Sequence, residues 1–273
     1  MPELPEVEVT KIELVPHIVG NTIKKIIIRD HRLRWPINYH ALKKLENKKV
    51  ISLSRRGKYI FINSEAGTAM IHLGMSGSLS VLDRNTIPEK HDHFDIQLEN
   101  QKIVRFNDPR RFGCFEWAGK NPENHKLISH LGLEPLEKEF TGDYLYRVSR
   151  NRTTAVKALI MNASIVVGVG NIYANESLFM SGIHPKRMAK NIAKNRYISL
   201  SKSIKKILKK SIKDGGTTLR DFSFTYQEEK IGYFKQKLFT YDRENKKCKQ
   251  CDGTIKRIVQ LGRSTFYCIN CQH

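Results

Sequence analysis

Four cysteines near the carboxyl end constrain the fold more than any other feature of the sequence. They form two Cys-x-x-Cys pairs, Cys248 with Cys251 and Cys268 with Cys271, and sixteen residues separate the pairs. Two such pairs let four thiolates converge on one Zn²⁺ in a tetrahedron, and the residues between them then form a β-hairpin. Because protein ligands fill all four positions, we predict a structural zinc that leaves no place for water.

A Cys-x-x-Cys motif also occurs in redox proteins, which is the alternative for these cysteines. Redox chemistry needs only one motif and usually a βαβ setting, so two motifs at this spacing favour zinc. The remaining cysteine, Cys114, is predicted to be a small buried hydrophobic residue without a chemical role.

Basic residues outnumber acidic ones by a wide margin. Among 273 residues there are 48 Lys and Arg against 27 Asp and Glu, a formal net charge of +21. This excess predicts a polyanionic partner, most simply nucleic acid, because each neutralised phosphate releases condensed counterions. A solvated basic surface and an anionic membrane are the alternatives. Lys256, Arg257 and Arg263 lie between the cysteine pairs, so we expect this hairpin tip to contact phosphates.

The sequence has no feature of a membrane or exported protein. No apolar run approaches the roughly 20 residues of a membrane span. The first residues also lack the charged and then apolar pattern of a signal peptide. We therefore expect a soluble, intracellular protein.

The pattern of apolar residues divides the chain into a β-rich part and a helical part. A helical pattern over residues 1–20 ends at a predicted turn at Gly20-Asn21. Short β-rich runs then alternate with turn residues from about 23 to 117, and ENQK at 99–102 is a predicted hairpin tip. These runs predict an antiparallel sandwich or barrel-like domain. In SKSIKKILKKSIKDGG at 201–216, the apolar residues form one helical stripe and the lysines are expected to be mostly solvated. The fold class is therefore α+β.

Five motifs, in order along the whole chain, resemble bacterial formamidopyrimidine-DNA glycosylases. They are MPELPEVE at 1–8, HLGMSGSL at 72–79, DPRRFG at 108–113, VVGVGNIYANESLF at 166–179 and GRSTFYCINCQ at 262–272. The resemblance implies a repair enzyme that excises oxidised purines, 8-oxoguanine and formamidopyrimidines, from double-stranded DNA. It also implies that the enzyme cuts the strand at the resulting abasic site, has one structural zinc as cofactor, and acts as a cytoplasmic monomer, associated with the nucleoid through DNA.

The resemblance also implies a domain organisation. A catalytic β-sandwich domain with an amino-terminal helix takes residues 1–130, and a linker takes 131–140. A helical DNA-binding domain with a helix–two-turn–helix takes 141–240, and the four-cysteine zinc finger takes 241–273.

Four residues match the family's catalytic positions. Pro2 would be the nucleophile once Met1 is removed, because an α-amino group has a pKa of about 8 against about 10.4 for lysine. Glu3 would protonate the ring oxygen of the deoxyribose, Lys58 would assist base removal, and Arg263 would hold a phosphate during strand cleavage. From the residues alone, Pro2 presets a helical turn, and Glu3 and Glu6 are carboxylates favoured by the helix dipole.

The remaining matches are residues that contact DNA in the family. Met75, Arg110 and Phe112 would fill the space left by the extruded base, and Arg110 would pair with the orphaned cytosine. The predicted phosphate and DNA contacts of the helical part and the strand region are His91, Arg152, Lys157 and Asn171.

Two alternatives stay open at this point. The related endonuclease VIII type prefers oxidised pyrimidines, although its relatives usually begin Pro-Glu-Gly and often lack the Arg-Phe pair. A noncatalytic zinc-finger protein that binds damaged DNA would need no exposed proline terminus. The chain departs from the family mainly in the base-capping loop, Phe222–Gln236, which leaves its lesion preference undetermined.

Overall fold

The structure is a computed structural model of the chain, and it describes residues 2–216 and 238–273. The predicted base-capping loop, Phe222–Gln236, lies outside the described residues. The described residues form two compact units, one of residues 2–129 with 215–216 and one of residues 130–214 with 238–273. The domain boundaries inferred from the sequence stay a prediction.

The first unit begins with helix α1, Leu4–Ile18. The buried residues Leu4, Val7, Leu14 and Ile18 recur at helical spacing, so one side of α1 faces the core. Gly20, with a φ of 85°, turns the chain into the first strand, as the sequence predicts.

Eight antiparallel strands follow α1 and make one sheet in the order β5-β7-β6-β1-β2-β3-β4-β8. A short helix α2, Tyr39–Leu42, and a 3-10 turn, Lys43–Leu45, connect β1 to β2, and a 3-10 turn, Pro122–Asn124, follows β8. The strands are β1 Thr22–Ile28, β2 Lys48–Arg56, β3 Tyr59–Ser64, β4 Gly67–His72, β5 Ser78–Asp83, β6 Asp92–Leu98, β7 Lys102–Asn107 and β8 Cys114–Gly119.

The sheet folds back on itself at its centre and forms a sandwich. Strands β1 and β2 are joined only at Thr22↔Lys49 and Ile23↔Lys48. Phe94 on β6 stacks on Phe115 on β8 with 4.4 Å between ring centroids, although β6 and β8 belong to opposite halves of the strand order. The predicted sandwich is therefore confirmed, and so is the ENQK hairpin tip between β6 and β7.

The second unit is helical and ends in a β-hairpin. Its helix α6 buries Ile204, Ile207 and Leu208, which are members of the predicted apolar stripe. Helices α4 and α5 with the turns between them form the predicted helix–two-turn–helix, and β9 and β10 form the predicted hairpin between the cysteine pairs. The elements are α3 Gly142–Ser149, α4 Val156–Ile160, α5 Asn171–Met180, a 3-10 turn Ala189–Asn191, α6 Lys194–Lys213, β9 Ile255–Gln260 and β10 Arg263–Cys268.

Phe94 is the centre of the first unit's aromatic core, because it stacks on both Phe106 and Phe115. We expect Phe94→Ala to lower the free energy of unfolding by about 3–5 kcal/mol, since it removes a large buried side chain and leaves a cavity. Urea unfolding followed by circular dichroism measures the change. Ile87→Ala is the control: its side chain is 83% exposed, and a change beyond about 0.5 kcal/mol there would contradict the reasoning.

Candidate active site and nucleic-acid interface

The amino terminus is held in place rather than frayed. Glu3 is the N-cap of α1, and its backbone N–H donates to Oε2 of Glu6 at 2.8 Å. Pro2 is buried and Glu3 is only 1% exposed. Glu6 thus stabilises the helix start, as predicted, and the two candidate catalytic residues lie at a fixed position of the first unit.

A half-buried arginine connects α1 to the hairpin that carries Lys58. Arg55 donates from Nε to Oε2 of Glu8 at 2.7 Å and from Nη1 to the carbonyl of Gly57 at 2.9 Å. Gly57, with a φ of 58°, and Lys58 form the two-residue turn between β2 and β3. Arg55 therefore fixes the Lys58 turn relative to the helix that begins at Pro2 and Glu3.

The electrostatics of Glu8 fit this bridging contact. Burial raises the pKa of its carboxyl, but hydrogen bonds and charge from Lys11 and Arg55 outweigh burial, so the net pKa is lowered. Glu8 therefore stays ionised and keeps its contact with Arg55 at neutral pH.

The loop with Met75 and the loop with Arg110 and Phe112 pack against each other. A Cβ placed on Gly74 would lie 2.4 Å from both the amide nitrogen of Gly113 and the carbonyl carbon of Phe112, so only glycine permits this approach. Met75 is 36% exposed and Phe112 is 44% exposed. The Arg110 guanidinium carbon lies 5.2 Å from the centroid of the Phe112 ring.

The structure thus brings together the three residues predicted to fill the space of an extruded base, and it leaves them accessible. His91 directly precedes β6 and has a φ of 77°. Its carbonyl accepts the backbone N–H of Asp108, the residue that begins the DPRRFG motif, at 3.1 Å. Two further histidines nearby are hydrogen-bonded within the protein: the ring of His93 to the carbonyl of Asp108, and the ring of His72 to the backbone N–H of Gly74.

In the second unit, Lys157 is buried instead of facing solvent. The residue is only 2% exposed, and its Nζ donates to Oδ1 of Asn171 and to Oγ1 of Thr265, each at 2.6 Å. Asn171 in turn donates from Nδ2 to the carbonyl of Ser264 at 3.0 Å. Lys157 and Asn171 therefore connect the start of α5 to β10, and direct phosphate contact by either stays a prediction.

Arg152 and Arg263 are exposed, and both line one groove of about 700 Å³ in the second unit. Lys157, Gln260 and Leu261 also contribute to its walls. The groove thus has two exposed guanidinium groups, which suit the recognition of phosphates.

The zinc hairpin is docked on α5 by buried polar side chains that sequence reasoning missed. The Glu176 carboxylate accepts the backbone N–H groups of Phe239, Thr240 and Tyr241, each at 2.8 Å. Asn175 accepts the N–H of Phe266 at 2.7 Å. These side chains satisfy backbone donors that would otherwise be buried without partners. The VVGVGNIYANESLF motif contains Asn175 and Glu176, but nothing in it identifies partners that lie more than 60 residues away along the chain.

The four cysteine sulfurs fit a single zinc ion. All four lie within 4.8 Å of one another, and the contacts between them range from 3.2 Å for Cys251 and Cys271 to 3.9 Å for Cys248 and Cys271. A tetrahedron with Zn–S bonds of about 2.3 Å has edges of about 3.8 Å, which is close to these separations. The donors are four thiols, the set that structural zinc sites use, so the predicted ligands Cys248, Cys251, Cys268 and Cys271 suit the ion.

Cys114 has no part in this cluster. It is fully buried, and burial, with the charge of Glu116, raises the pKa of its thiol to about 12. The thiol is therefore unreactive at neutral pH, and its predicted role as a buried hydrophobic residue is confirmed.

In the part of the chain that the structure describes, no helix is both long enough and apolar enough to cross a membrane.

Three family models match successive parts of the chain. The formamidopyrimidine-DNA glycosylase N-terminal domain matches residues 1–115, the formamidopyrimidine-DNA glycosylase H2TH domain matches residues 131–223, and the zinc finger found in FPG and IleRS matches residues 245–273. The last match and the geometry of the sulfurs agree, so the four cysteines form a zinc site.

The chain is similar to known proteins over its full length. It is 47% identical to the formamidopyrimidine-DNA glycosylase of Hydrogenovibrio crunogenus over 272 residues, 100% of this chain and 96% of the relative. It is also similar to Lactococcus lactis Fpg in complex with DNA containing an abasic site, with a TM-score of 0.89, 30% identity and 99% of each chain covered. For Fpg of that organism with DNA containing Fapy-dG, the TM-score is 0.88, with 29% identity and coverage of 99% of this chain and 100% of that chain.

Zinc loading should depend on the four clustered cysteines and not on Cys114. We expect elemental analysis of the purified protein to give about one zinc per chain, and Cys271→Ser to reduce it several-fold because one of four ligands is lost. Cys114→Ala is the matched control and should keep its zinc. Full zinc in Cys271→Ser, or loss of zinc in Cys114→Ala, would contradict the assignment.

The stability of the first unit should respond to acid through His72. Burial, with the positive charges of Lys58 and Arg34, lowers the pKa of this histidine to about 4, whereas an unfolded histidine titrates near about 6.5. Between these values only the unfolded chain takes up the proton, so the free energy of unfolding falls as pH drops from about 6.5 to 4.

His72→Gln should therefore lose less stability than the wild type when urea unfolding at pH 7 is compared with unfolding at pH 5. The same substitution at the exposed His40 is the control and should leave the wild-type difference unchanged. An equal loss of stability in the wild type and in His72→Gln would mean that His72 does not carry this dependence.

Proposed function

Because this chain belongs to the formamidopyrimidine-DNA glycosylase family, we propose that it excises oxidised purines from double-stranded DNA and then cleaves the strand at the abasic site. The observation that carries the proposal is the amino terminus. Pro2 directly precedes the N-cap residue Glu3, whose amide is held by Glu6 at 2.8 Å. A terminal amine can act as a nucleophile only if it is held in one position against its substrate.

The proposed chemistry starts when Met1 is removed, which leaves Pro2 as a free secondary amine. Its nitrogen attacks C1′ of the damaged nucleotide, a bond forms between them, and the base leaves with the electron pair of the glycosidic bond and takes up the proton that the amine nitrogen loses. Glu3 protonates the ring oxygen of the sugar, which opens the ring. The product is an iminium between Pro2 and C1′, and a secondary amine makes it positively charged without a further proton.

Strand cleavage follows from the charge of that iminium. It acidifies the hydrogens at C2′, so loss of one of them expels the 3′ phosphate in a β-elimination, and a δ-elimination then expels the 5′ phosphate. In this scheme Lys58 assists base removal, and Arg263 on the exposed end of β10 holds a phosphate while the C–O bonds break. Water finally hydrolyses the iminium and returns Pro2.

The space left by the extruded base needs side chains that replace its stacking. Met75 and Phe112 are apolar, accessible and on loops in backbone contact, which suits wedges between neighbouring bases. Arg110 would donate to the cytosine opposite the lesion.

The phosphate backbone needs positive or hydrogen-bonding groups along its path. We propose that Arg152, Asn171 and His91 contact the DNA backbone. Lys157 would act indirectly, through its hydrogen bonds to Asn171 and to Thr265 on β10. Chromosomal DNA as substrate would give the protein a cytoplasmic location.

Borohydride trapping tests the role of Pro2, because reduction of the iminium makes the link to DNA permanent. With a duplex that carries 8-oxoguanine opposite cytosine, we expect a covalent complex whose attachment point maps to Pro2 by mass spectrometry. Pro2→Gly should trap at least about 10-fold less, because a primary amine replaces the secondary one. Equal trapping by the variant, or attachment at a lysine, would overturn the mechanism; so would active protein that retains Met1.

Glu3→Gln separates base removal from strand cleavage. An abasic sugar opens without help, so we expect this variant to keep most of its trapping on a duplex with a preformed abasic site. On 8-oxoguanine it should lose about 100-fold or more in excision rate, the order of a missing general acid. Equal losses on both substrates would argue against this role. Faster excision of thymine glycol than of 8-oxoguanine by the wild type would favour the endonuclease VIII type.

A further inference from the structure

We infer that Asp108 and Ser76 are positioning residues. They hold two loops of the first unit, residues 73–77 and 109–113, in a fixed orientation relative to each other, so that Met75, Arg110 and Phe112 form one DNA-contacting surface. The inference rests on the proposed function, in which these loops fill the space of the extruded base. It concerns how the loops are held, and neither residue is proposed to contact DNA.

Asp108 is a fully buried carboxylate directly after β7. Its Oδ1 accepts the hydroxyl of Ser76 at 2.6 Å, and its Oδ2 accepts the backbone N–H of Gly113 at 2.8 Å. Within residues 2–216 and 238–273 it forms no salt bridge, and its two carboxylate oxygens accept hydrogen bonds from Ser76, Arg110 and Gly113. Such bonds to an ionised acceptor are short and strong, and the loss of one leaves a buried charge undersatisfied.

Asp108 is hydrogen-bonded to each segment of the first unit that carries a residue predicted to contact DNA. Ser76 is adjacent to Met75, and the backbone N–H of Arg110 donates both to Oγ of Ser76 at 3.2 Å and to Oδ1 of Asp108 at 3.3 Å. The main chain of Asp108 donates to the carbonyl of His91 at 3.1 Å. One residue thus fixes Met75, Arg110 and His91 relative to one another.

The Ser76 hydroxyl is the only side-chain group that forms hydrogen bonds between the two loops among the described residues. The other contact between the loops is the close backbone approach of Gly74 and Gly113. This contact limits the distance between the loops, but it includes no hydrogen bond that would fix their orientation. Without the hydroxyl, the loop of Met75 would keep its packing but lose its orientation relative to Arg110. We therefore expect loss of the Ser76 hydroxyl to slow cleavage of double-stranded substrates, which have an opposite base to contact and a gap in the base stack to fill.

The experiment compares Ser76→Ala, Ser76→Thr and Ser80→Ala on matched substrates. Ser80 lies on β5, is half-buried, and makes no side-chain hydrogen bond in the described structure, so it controls for loss of a serine hydroxyl. The substrates are a duplex with an abasic site opposite cytosine, the same duplex with adenine opposite, and the damaged strand alone.

Ser76→Ala should cleave the duplex opposite cytosine about 10-fold or more slowly, the factor that corresponds to a lost hydrogen bond to a charged group. It should cleave the single strand within about 2-fold of the wild type, because that substrate has no opposite base to read. Its preference for cytosine over adenine should shrink. Ser76→Thr keeps the hydroxyl and should restore duplex cleavage, and Ser80→Ala should match the wild type.

Two results overturn the inference. One is a Ser76→Ala protein that behaves as Ser80→Ala does; the other is an equal loss on duplex and single strand, which indicates a general loss of folded enzyme. Failure of the proposed function looks different, because the wild type would then cleave none of the three substrates and trap none of them with borohydride.

Discussion

The hydrogen bond from the amide of Glu3 to the carboxylate of Glu6 is the interaction on which the proposed chemistry depends. Chain termini normally fray because few contacts oppose their conformational entropy. Here the first turn of α1 has a proline at the start, a reciprocal carboxylate and a buried leucine next to the cap. Pro2, the proposed nucleophile, therefore lies directly before the N-cap of a helix whose other end is packed in the core at Ile18.

The two units hold their candidate functional residues in place by different interactions. In the first unit a stack of aromatic rings lies behind loops that glycine allows to approach backbone to backbone. In the second unit a lysine, two asparagines and a glutamate lie along α4 and α5, and each is hydrogen-bonded to β10 or to the chain that leads to the zinc site. Buried polar groups are costly unless they are satisfied, so this arrangement tolerates only one docking of the hairpin.

Local sequence patterns predicted the helices, strands, turns and zinc ligands, but they did not predict the side-chain contacts between distant parts of the chain. The cysteine spacing, the turn at Gly20, the hairpin tip at 99–102 and the apolar stripe of α6 are all properties of neighbouring residues, and the structure contains each of them. Lys157 is different: the motif around it suggests an exposed phosphate ligand, but its partners include Thr265, which lies 108 residues further along the chain.

Asp108 illustrates the same limit within a motif that was recognised. In DPRRFG the chemistry of the arginine and the phenylalanine suits contact with DNA, whereas its aspartate is hydrogen-bonded within the motif, to Gly113, and to Ser76 on another loop. Spacing along the chain does not reveal a hydrogen bond formed across 32 residues. Residues that position a site through long-range hydrogen bonds are therefore harder to predict from sequence than residues whose own chemistry suits contact with the substrate.

The docking of the zinc hairpin on α5 has a consequence for how the protein is made. Glu176, Asn175 and Lys157 are synthesised long before residues 238–273, which supply their partners in the hairpin and the chain leading to it. Until residues 238–273 have left the ribosome, the helix–two-turn–helix lacks the groups that later cover the carboxylate of Glu176 and the ammonium of Lys157. The second unit thus cannot complete its fold before those residues are synthesised, and a chain that stops before them would lack the partners that hold Glu176, Asn175 and Lys157 in place.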